Sequence, residues 1–436
     1  MRKVFLYRFL VALLVLTVLA SGCAPAPAQA PAASDGAEAA PDIVEITFLH
    51  VWGEEWQAPI WADIIAEFEA ANPNIKVNLS HVPYTESGAK MRAAALANDA
   101  SFDVLPMGPE FIASLVDVGY LEDLNPWLEA EPDFADSLAP EASMKFQDVT
   151  RALGIYIFPF HLLYNVDLFA EKGLEPPTSW DEFRVAAEAL RDEEQGIYGY
   201  MATMSFAEVL TTRMFLYRLA QLGGRLFDEE GNVAFDSPEG LETIRWWKEF
   251  WDDDLISPDS LTMPWPGIME LMAAGRLGMF TDGPFTATYL KGLNPDINIA
   301  YAPPWRDETG GIVWNVTGIA MSAMSENKDE AWEFMKFLYS DEIAQRLTDE
   351  IMGAPVPTKA VMASLRESDN PVMREVPDLF AQDPDYNIQQ PVLPNMEKLV
   401  DAVLVAFHEV MLDENDPKSA LKEMAEIWQE EIDAAR

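Results

Sequence analysis

The segment DIVEITFLHVW, residues 42–52, decides the fold, because apolar side chains occupy both of its alternating sets of positions. That pattern is typical of a strand covered on both faces. The segment IKVNLSHV, residues 75–82, alternates again. Between the two, apolar residues recur at helical spacing over residues 60–68, and NPN at 72–74 ends that helix. A strand, a helix and a strand of these lengths predict a parallel α/β sheet.

The same alternation of elements continues along the chain. FDVLPM, residues 102–107, predicts a short buried strand that ends at a turn. Helix starts are predicted at Ser179 with Glu182 as a capping box, at Ser237 followed by Pro238, and at Asn327 with Glu330. The sequence shows no internal repeat. We therefore expect a globular α/β body of about 390 residues, which is long enough for two domains.

The first 22 residues have the order of a secretory signal. Basic residues come first, an apolar run from Phe9 to Ala20 follows, and Ser21 and Gly22 stand directly before Cys23. A small pair before cysteine resembles a bacterial lipoprotein signal, in which the cysteine becomes the lipidated first residue. We predict a lipoprotein signal peptide at 1–22, with an ordinary secretory signal as the alternative.

Residues 23–42 are rich in alanine, proline and serine and hold almost nothing that could form a core. We interpret them as a lipidated Cys23 followed by a flexible Ala/Pro linker. Cys23 is the only cysteine of the 436 residues, so no disulfide can staple the body, although an extracytoplasmic compartment would permit one.

The chain is strongly acidic, with 73 Asp and Glu against 29 Lys and Arg and a formal net charge of −44. A field of this sign repels phosphate backbones, which excludes nucleic acid as a partner. The acidic residues are spread along the chain, and this favours a solvated acidic surface over a dedicated site for cations. No G-x-S-x-G or H-E-x-x-H motif is present, and the four histidines form no four-ligand pattern, so the sequence predicts no catalytic residue, cofactor or metal.

Nine segments in order resemble the extracellular solute-binding proteins of ABC importers, of the maltose-binding type. They are FEAANPNIKVN (68–78), FDVLPMGPEF (102–111), GYLEDLNPWL (119–128), LLYNVDLFAEKGLEPPTSWDEF (162–183), FDSPEGLETIRWWKEF (235–250), AAGRLGMFTDGPF (273–285), KDEAWEFMKFLYSDEIAQ (328–345), GAPVPTKA (353–360) and DPKSALKEMAEIWQEEI (416–432).

The resemblance implies a periplasmic-binding-protein-like fold of two α/β lobes joined by a multi-crossing hinge, with the ligand cleft between them. It places lobe one at 43–156 and 306–354 and lobe two at 157–305 and 355–436. It also implies a monomer, anchored outside the cytoplasm by its lipid, that passes a saccharide to the transmembrane subunits of an ABC permease. It implies no enzymatic activity.

A sugar presents C–H faces that suit an aromatic ring and hydroxyls that need paired donors and acceptors. Gly53 permits a tight turn after the first strand, which would bring Trp52, Glu54 and Glu55 toward the sheet's carboxyl edge. Glu54 and Glu55 match the family's polar ligands there. In the second ligand loop Met107 stands where an aromatic is common.

The remaining candidates follow from position in the family's pattern. They are Glu110 as a hydroxyl acceptor, Phe285 where a stacking tryptophan stands, Asp282 beside it, His161 and Arg213 near the cleft, and Trp314 and Asn315 near the recrossing. Each has a structural alternative: a core histidine or aromatic, or an exposed carboxylate at a helix start. The tail NMEKLVDAVLVAF has no aromatic before Phe407, which disfavours maltose itself.

Two other readings stay open from the residues. Glu54, Glu55, Glu110 and Asp282 around one cleft with only Arg213 nearby could hold a polyamine, another cationic solute or a peptide instead of a sugar. A secreted glycoside hydrolase with paired carboxylates is the remote alternative. With 73 acidic residues some pair occurs at any spacing, so that pattern carries no weight.

Overall fold

The structure, a computed structural model, describes residues 43–434 except 54–55, 206–209, 304, 369, 382–386 and 394. Its strands are β1 (Val44–His50), β2 (Ile75–His81), β3 (Val104–Met107), β4 (Ser143–Phe146), β5 (Val149–Pro159), β6 (His161–Asn165), β7 (Tyr198–Tyr200), β8 (Leu277–Asp282), β9 (Ile299–Tyr301), β10 (Val313–Met321) and β11 (Ile388–Gln389).

Its α-helices cover both sheets. They are α1 (Ala58–Ala71), α2 (Tyr84–Ala97), α3 (Pro109–Asp117), α4 (Asn125–Ala130), α5 (Pro132–Ser137), α6 (Val166–Lys172), α7 (Trp180–Leu190), α8 (Leu210–Gln221), α9 (Pro238–Asp252), α10 (Trp265–Ala273), α11 (Phe285–Leu293), α12 (Lys328–Leu338), α13 (Asp341–Arg346), α14 (Lys359–Ser364), α15 (Pro371–Ala381), α16 (Met396–Met411) and α17 (Pro417–Ala434).

The strands form two separate sheets. The first has seven strands in the order β2-β1-β3-β10-β5-β4, with β11 paired to β10. The second has four strands in the order β7-β8-β6-β9. The chain passes from the first sheet to the second at Phe160, which separates β5 from β6 and donates its backbone N–H to the carbonyl of Val313. This confirms the predicted mixed α/β architecture.

The opening strand, helix and strand form as the sequence predicts. β1 and β2 are parallel and in register from Val44 opposite Ile75 to His50 opposite His81. The apolar side of β1 packs under two helices: the Phe48 ring lies 5.7 Å from Trp61 of α1 and 5.6 Å from Phe334 of α12, both edge-on. Burial of these rings fixes the register, because a shift of one residue would turn every side chain to the other face.

The helices begin where the sequence predicts at all three sites, and two of the three have a side-chain N-cap. The Ser179 and Ser237 hydroxyls accept hydrogen bonds from the N–H groups three residues on, each at 3.2 Å. The carboxylate of Glu182 departs from the capping-box pattern, because it accepts from Thr178 instead. Asn327 precedes α12 but makes no side-chain cap; its amide donates to the carbonyl of Glu45 and thus ties α12 to the first sheet.

The C-terminal range 355–436 divides between the two sheets. β11 pairs with β10, so part of the range expected in lobe two joins the first sheet. The helices α16 and α17 instead pack on each other and on α8 and α9. Helix α9 in turn contacts β7 of the second sheet, where the rings of Trp247 and Tyr200 lie 5.9 Å apart. The lobe boundaries therefore remain a prediction. Within the described residues, no helix is both long enough and apolar enough to cross a membrane.

Candidate binding site between the two sheets

A tyrosine and a carboxylate meet at the edge of the first sheet. Tyr84 opens α2 after β2, and Glu110 lies in the first turn of α3 after β3. The Tyr84 hydroxyl donates to Glu110 Oε1, while Oε2 is buried and has no hydrogen-bond partner within the described part of the chain. Gly108 permits this approach, because a Cβ there would lie 2.5 Å from the Tyr84 oxygen and 2.6 Å from Glu110 Oε2.

The Tyr84 hydroxyl is a poor acid in this place and stays protonated. Its pKa is raised well above the usual value, chiefly because surrounding protein displaces water and also because the Glu110 charge opposes ionisation. The positive charge of Arg213 acts in the other direction. The residue still keeps 38% of its surface exposed, so Tyr84 borders solvent and does not lie in the core. We call the place where Tyr84, Glu110 and Arg213 come close together the recess.

Arg213 of α8 joins the two sheets at this recess. Its guanidinium lies over the Phe160 ring at 4.4 Å from the centroid, a cation–π contact at the crossover between β5 and β6. Its Nη2 donates to Gln390 Oε1 at 3.4 Å. Its charge acts on the pKa of Tyr84 beside the first sheet and of Asp282 in the second, so Arg213 is close to both.

Asp282, the last residue of β8, is a buried and fully bonded carboxylate. Oδ2 accepts from Trp265 Nε1 at 2.7 Å and from the Thr286 hydroxyl at 2.8 Å, and Oδ1 accepts from the Gly283 N–H at 2.7 Å. Burial raises its pKa, against the opposing effects of Arg213 and these donors. The arrangement ties the end of β8 to α10 and to the start of α11.

His161 stands opposite Asp282 in the antiparallel pair of β6 and β8. The side chain is 2% exposed, and Nε2 has no partner among the described residues. Burial lowers the pKa of His161 to about 4, so the ring is neutral at physiological pH. Phe285 is nearby in the chain and stacks on Trp265, with ring centroids 5.3 Å apart and an interplanar angle of 24°.

Other residues that the sequence singles out lie partly in the core. Trp52 is 4% exposed and packs edge-on against Tyr156 at 5.3 Å, and Met107 has no exposed surface. Trp314 and Asn315 lie on β10; the Trp314 carbonyl accepts from the Gln390 N–H at 3.1 Å, and Asn315 is 2% exposed. A ligand role for these four stays a prediction, as it does for the other candidates.

Three predicted residues, Glu54, Glu55 and Cys23, lie outside the described residues. The structure brings together Glu110, Arg213 and Asp282, with His161 beside Asp282.

Sequence reasoning missed Tyr84, Phe160 and Gln390. Tyr84 follows the end of β2, a place the parallel-sheet argument could have marked as part of the edge. Phe160 and Gln390 follow β5 and β11, and only tertiary pairing brings those two positions to one recess. No local motif distinguishes them from core residues.

The chain forms two helix-covered β-sheets and passes from the first to the second at Phe160, whose ring is in contact with Arg213 of the recess. This is the architecture of the periplasmic-binding-protein fold. The chain belongs to the bacterial extracellular solute-binding protein family, whose model matches residues 51–345. A putative binding protein of Brucella abortus is 24% identical over 373 residues, which cover 84% of this chain and 88% of that one. The family assignment also supports a place outside the cytoplasm.

Solved structures agree in fold. An ABC transporter solute-binding protein of Thermotoga lettingae bound with α-D-tagatose has a TM-score of 0.74 at 22% identity, covering 88% of this chain and 98% of that one. The GacH receptor of Streptomyces glaucescens, solved unliganded and with acarbose, also has a TM-score of 0.74, at 23% identity, covering 89% and 98%.

Proposed function

We propose that this protein captures a neutral, hydroxyl-rich solute, a saccharide or related polyol, in the recess between its two sheets and delivers it to an ABC permease. The proposal rests on the family and on the chemistry of the recess. Binding is the whole activity in this proposal, and no bond of the solute is broken.

The observation that carries the proposal is a buried acceptor and a buried donor without partners in the described part of the chain. Glu110 Oε2 can accept a hydrogen bond, and Gln390 Nε2 can donate one. Gln390 is 1% exposed, and its amide is oriented by Arg213, which donates to Oε1. A hydroxyl both donates and accepts, so a polyol can satisfy the two groups, each of which is costly to leave unpaired.

The charges of the recess favour a neutral solute over a cation. Asp282 is engaged by Trp265, Thr286 and the Gly283 backbone and lies in the field of Arg213, so it has a structural role and is not poised for a cation. Arg213 itself would repel a polyamine. Phe285, stacked on Trp265, provides an aromatic surface of the kind on which sugar C–H faces pack. Tagatose and acarbose, the ligands of the two similar structures, are hydroxyl-rich.

Delivery of the solute to the permease would follow from closure of the two lobes around it. With lobe one near 43–156 and 306–354 and lobe two near 157–305 and 355–436, a solute that touches both Glu110 beside the first sheet and Phe285 beside the second binds the closed form better and shifts the population toward it. A permease that recognises the closed form then receives the loaded protein. We propose that it acts as a monomer.

The anchor is part of the proposal. Cys23, lipidated after removal of residues 1–22, would hold the protein at the outer face of the cell membrane, and residues 24–42 would act as a tether. A Cys23→Ala variant should then be released into the soluble fraction and lose incorporation of a labelled fatty acid. A variant that stays in the membrane fraction would refute the anchor while leaving solute binding untouched.

Solute binding is tested by calorimetry of the purified full-length chain with ketoses, aldoses, alditols and oligosaccharides, and with putrescine and spermidine at low and high salt. We expect a sugar or alditol to bind with little salt dependence. Gln390→Leu should weaken that affinity about tenfold, because it removes one buried hydrogen bond. Gln389→Leu is the matched control, since Gln389 is the exposed neighbour. Salt-sensitive binding of polyamines alone would establish the cationic alternative.

A further inference from the structure

Two of the four histidines lie side by side at the edge of the first sheet. His50 is the last residue of β1 and His81 the last residue of β2, and the two are direct register partners in the parallel pair. Their side chains therefore project from the same face of neighbouring strands. His50 is 4% exposed, whereas His81 is exposed on the outer strand.

The separation of the rings fits two ligands on one metal ion. Their centroids are 5.5 Å apart, with an interplanar angle of 52°. Two imidazoles that each bind Zn²⁺ through nitrogen at about 2.1 Å in tetrahedral geometry place their ring centroids roughly 5 Å apart. The centroid separation of the pair is therefore close to that of two imidazoles bound to one ion.

One ring nitrogen of His50 has no hydrogen-bond partner of normal geometry within the described residues. This nitrogen is Nδ1, which is buried, whereas most buried polar atoms in proteins are paired.

The neighbours of the pair hold both rings in position. The His50 ring packs against Trp61 at 5.8 Å and Phe48 at 5.5 Å. The Gly53 backbone lies so close to His81 that a Cβ on it would stand 2.2 Å from His81 Cδ2. Such packing limits ring movement, and preorganised ligands bind a metal at a lower entropic cost.

We propose that His50 and His81 form a binding site for one borderline divalent transition-metal ion, of which Zn²⁺, Ni²⁺ and Cu²⁺ are the representatives. Imidazole suits these ions, whereas Mg²⁺ and Ca²⁺ prefer oxygen. In the described part of the chain no group of three or more His, Cys, Asp and Glu side chains could hold a metal ion. In this proposal the pair therefore supplies two ligands, and water supplies the remaining ones. Neither histidine is among the residues of the proposed solute site, so the inference does not depend on the proposed solute.

The full-length chain is first treated with EDTA to remove bound metal. It is then titrated with Zn²⁺, Ni²⁺ or Mg²⁺, and binding is followed by calorimetry and by thermal melting. We expect one saturable site for Zn²⁺ and for Ni²⁺, and a rise in melting temperature, since an ion that binds only the folded state stabilises it. Mg²⁺ reports the background from the 73 carboxylates.

His81→Ala is the decisive variant, because its exposed side chain can be removed with little effect on folding. It should weaken Zn²⁺ binding at least about tenfold. His408→Gln is the matched control; that histidine lies on α16, where Nε2 is 2.5 Å from the Met204 carbonyl oxygen, and the variant should bind Zn²⁺ as before. His50→Gln should lose the site as well. Zn²⁺ binding that matches Mg²⁺ binding, or that persists unchanged in His81→Ala, overturns the proposal.

Discussion

Acidification should destabilise the fold through His161, and the size of the effect follows from burial. The pKa of His161 is lowered from 6.5 to about 4 in the folded protein, because burial disfavours the charged ring. In the unfolded chain the ring titrates near its ordinary value. The perturbation is a drop in pH from 7 to 5, compared between the wild type and the non-titrating variant His161→Gln.

The direction of this pH effect follows from proton binding to the folded and unfolded states. Above the unfolded pKa both states are neutral at His161, and the titration costs nothing. Below it the unfolded chain takes up a proton that the folded protein excludes, so the free energy of unfolding falls with pH. The loss is about 2 kcal/mol between pH 7 and pH 5 and approaches about 3 kcal/mol near pH 4, where the folded ring also titrates.

Urea unfolding at pH 7, 6 and 5 measures the effect. The wild type alone is uninformative, because protonation of its many carboxylates relieves repulsion over the same range. The difference in unfolding free energy, wild type minus His161→Gln, isolates the histidine and should fall by about 2 kcal/mol from pH 7 to pH 5.

A double variant supplies the check on magnitude. The pKa of His50 is also lowered to about 4, so the difference between wild type and His50→Gln/His161→Gln should change about twice as much with pH. If the difference for His161→Gln stays constant between pH 7 and pH 5, burial does not control this ring and the reasoning fails.

Four further variants test contributions to stability. Ser237→Ala should lower the free energy of unfolding by about 1 kcal/mol in urea, because the N-cap bond to α9 is lost; an unchanged midpoint contradicts that cap. Gly199→Ala should lower the free energy of unfolding by up to about 3 kcal/mol, since its Cβ would lie 1.9 Å from a backbone oxygen of α7. Gly267→Ala is the contrasting variant: its Cβ would meet only a flexible methionine, so it should raise the melting temperature slightly. Glu397→Gln, which breaks the exposed pair with Arg92, should cost no more than about 0.5 kcal/mol and nothing in high salt.

The sequence predicted the class of fold well where patterns were local. β1, α1, β2 and β3 lie where alternation, helical spacing and the NPN turn place them, because each signal depends on neighbours in the chain. Ser179 and Ser237 cap their helices for the same reason. Asn327 differs because its amide finds partners in a distant strand, which a local pattern cannot anticipate.

The site was predictable only in part. The family pattern predicts Glu110, Arg213 and Asp282, and the structure brings these three residues close to one another. Tyr84 and Gln390 were missed, because their importance comes from contacts with residues 26 and 177 positions away.

By itself the sequence determined the alternation of strands and helices, the strongly acidic net charge and, through nine ordered segments, the resemblance to the solute-binding family. Only the tertiary structure decided that β11 joins the first sheet, that the Gln390 amide is oriented by Arg213, and that His50 faces His81. Those facts depend on strand pairing between distant segments. Backbone hydrogen bonds align such segments in space, and no short stretch of sequence records the alignment.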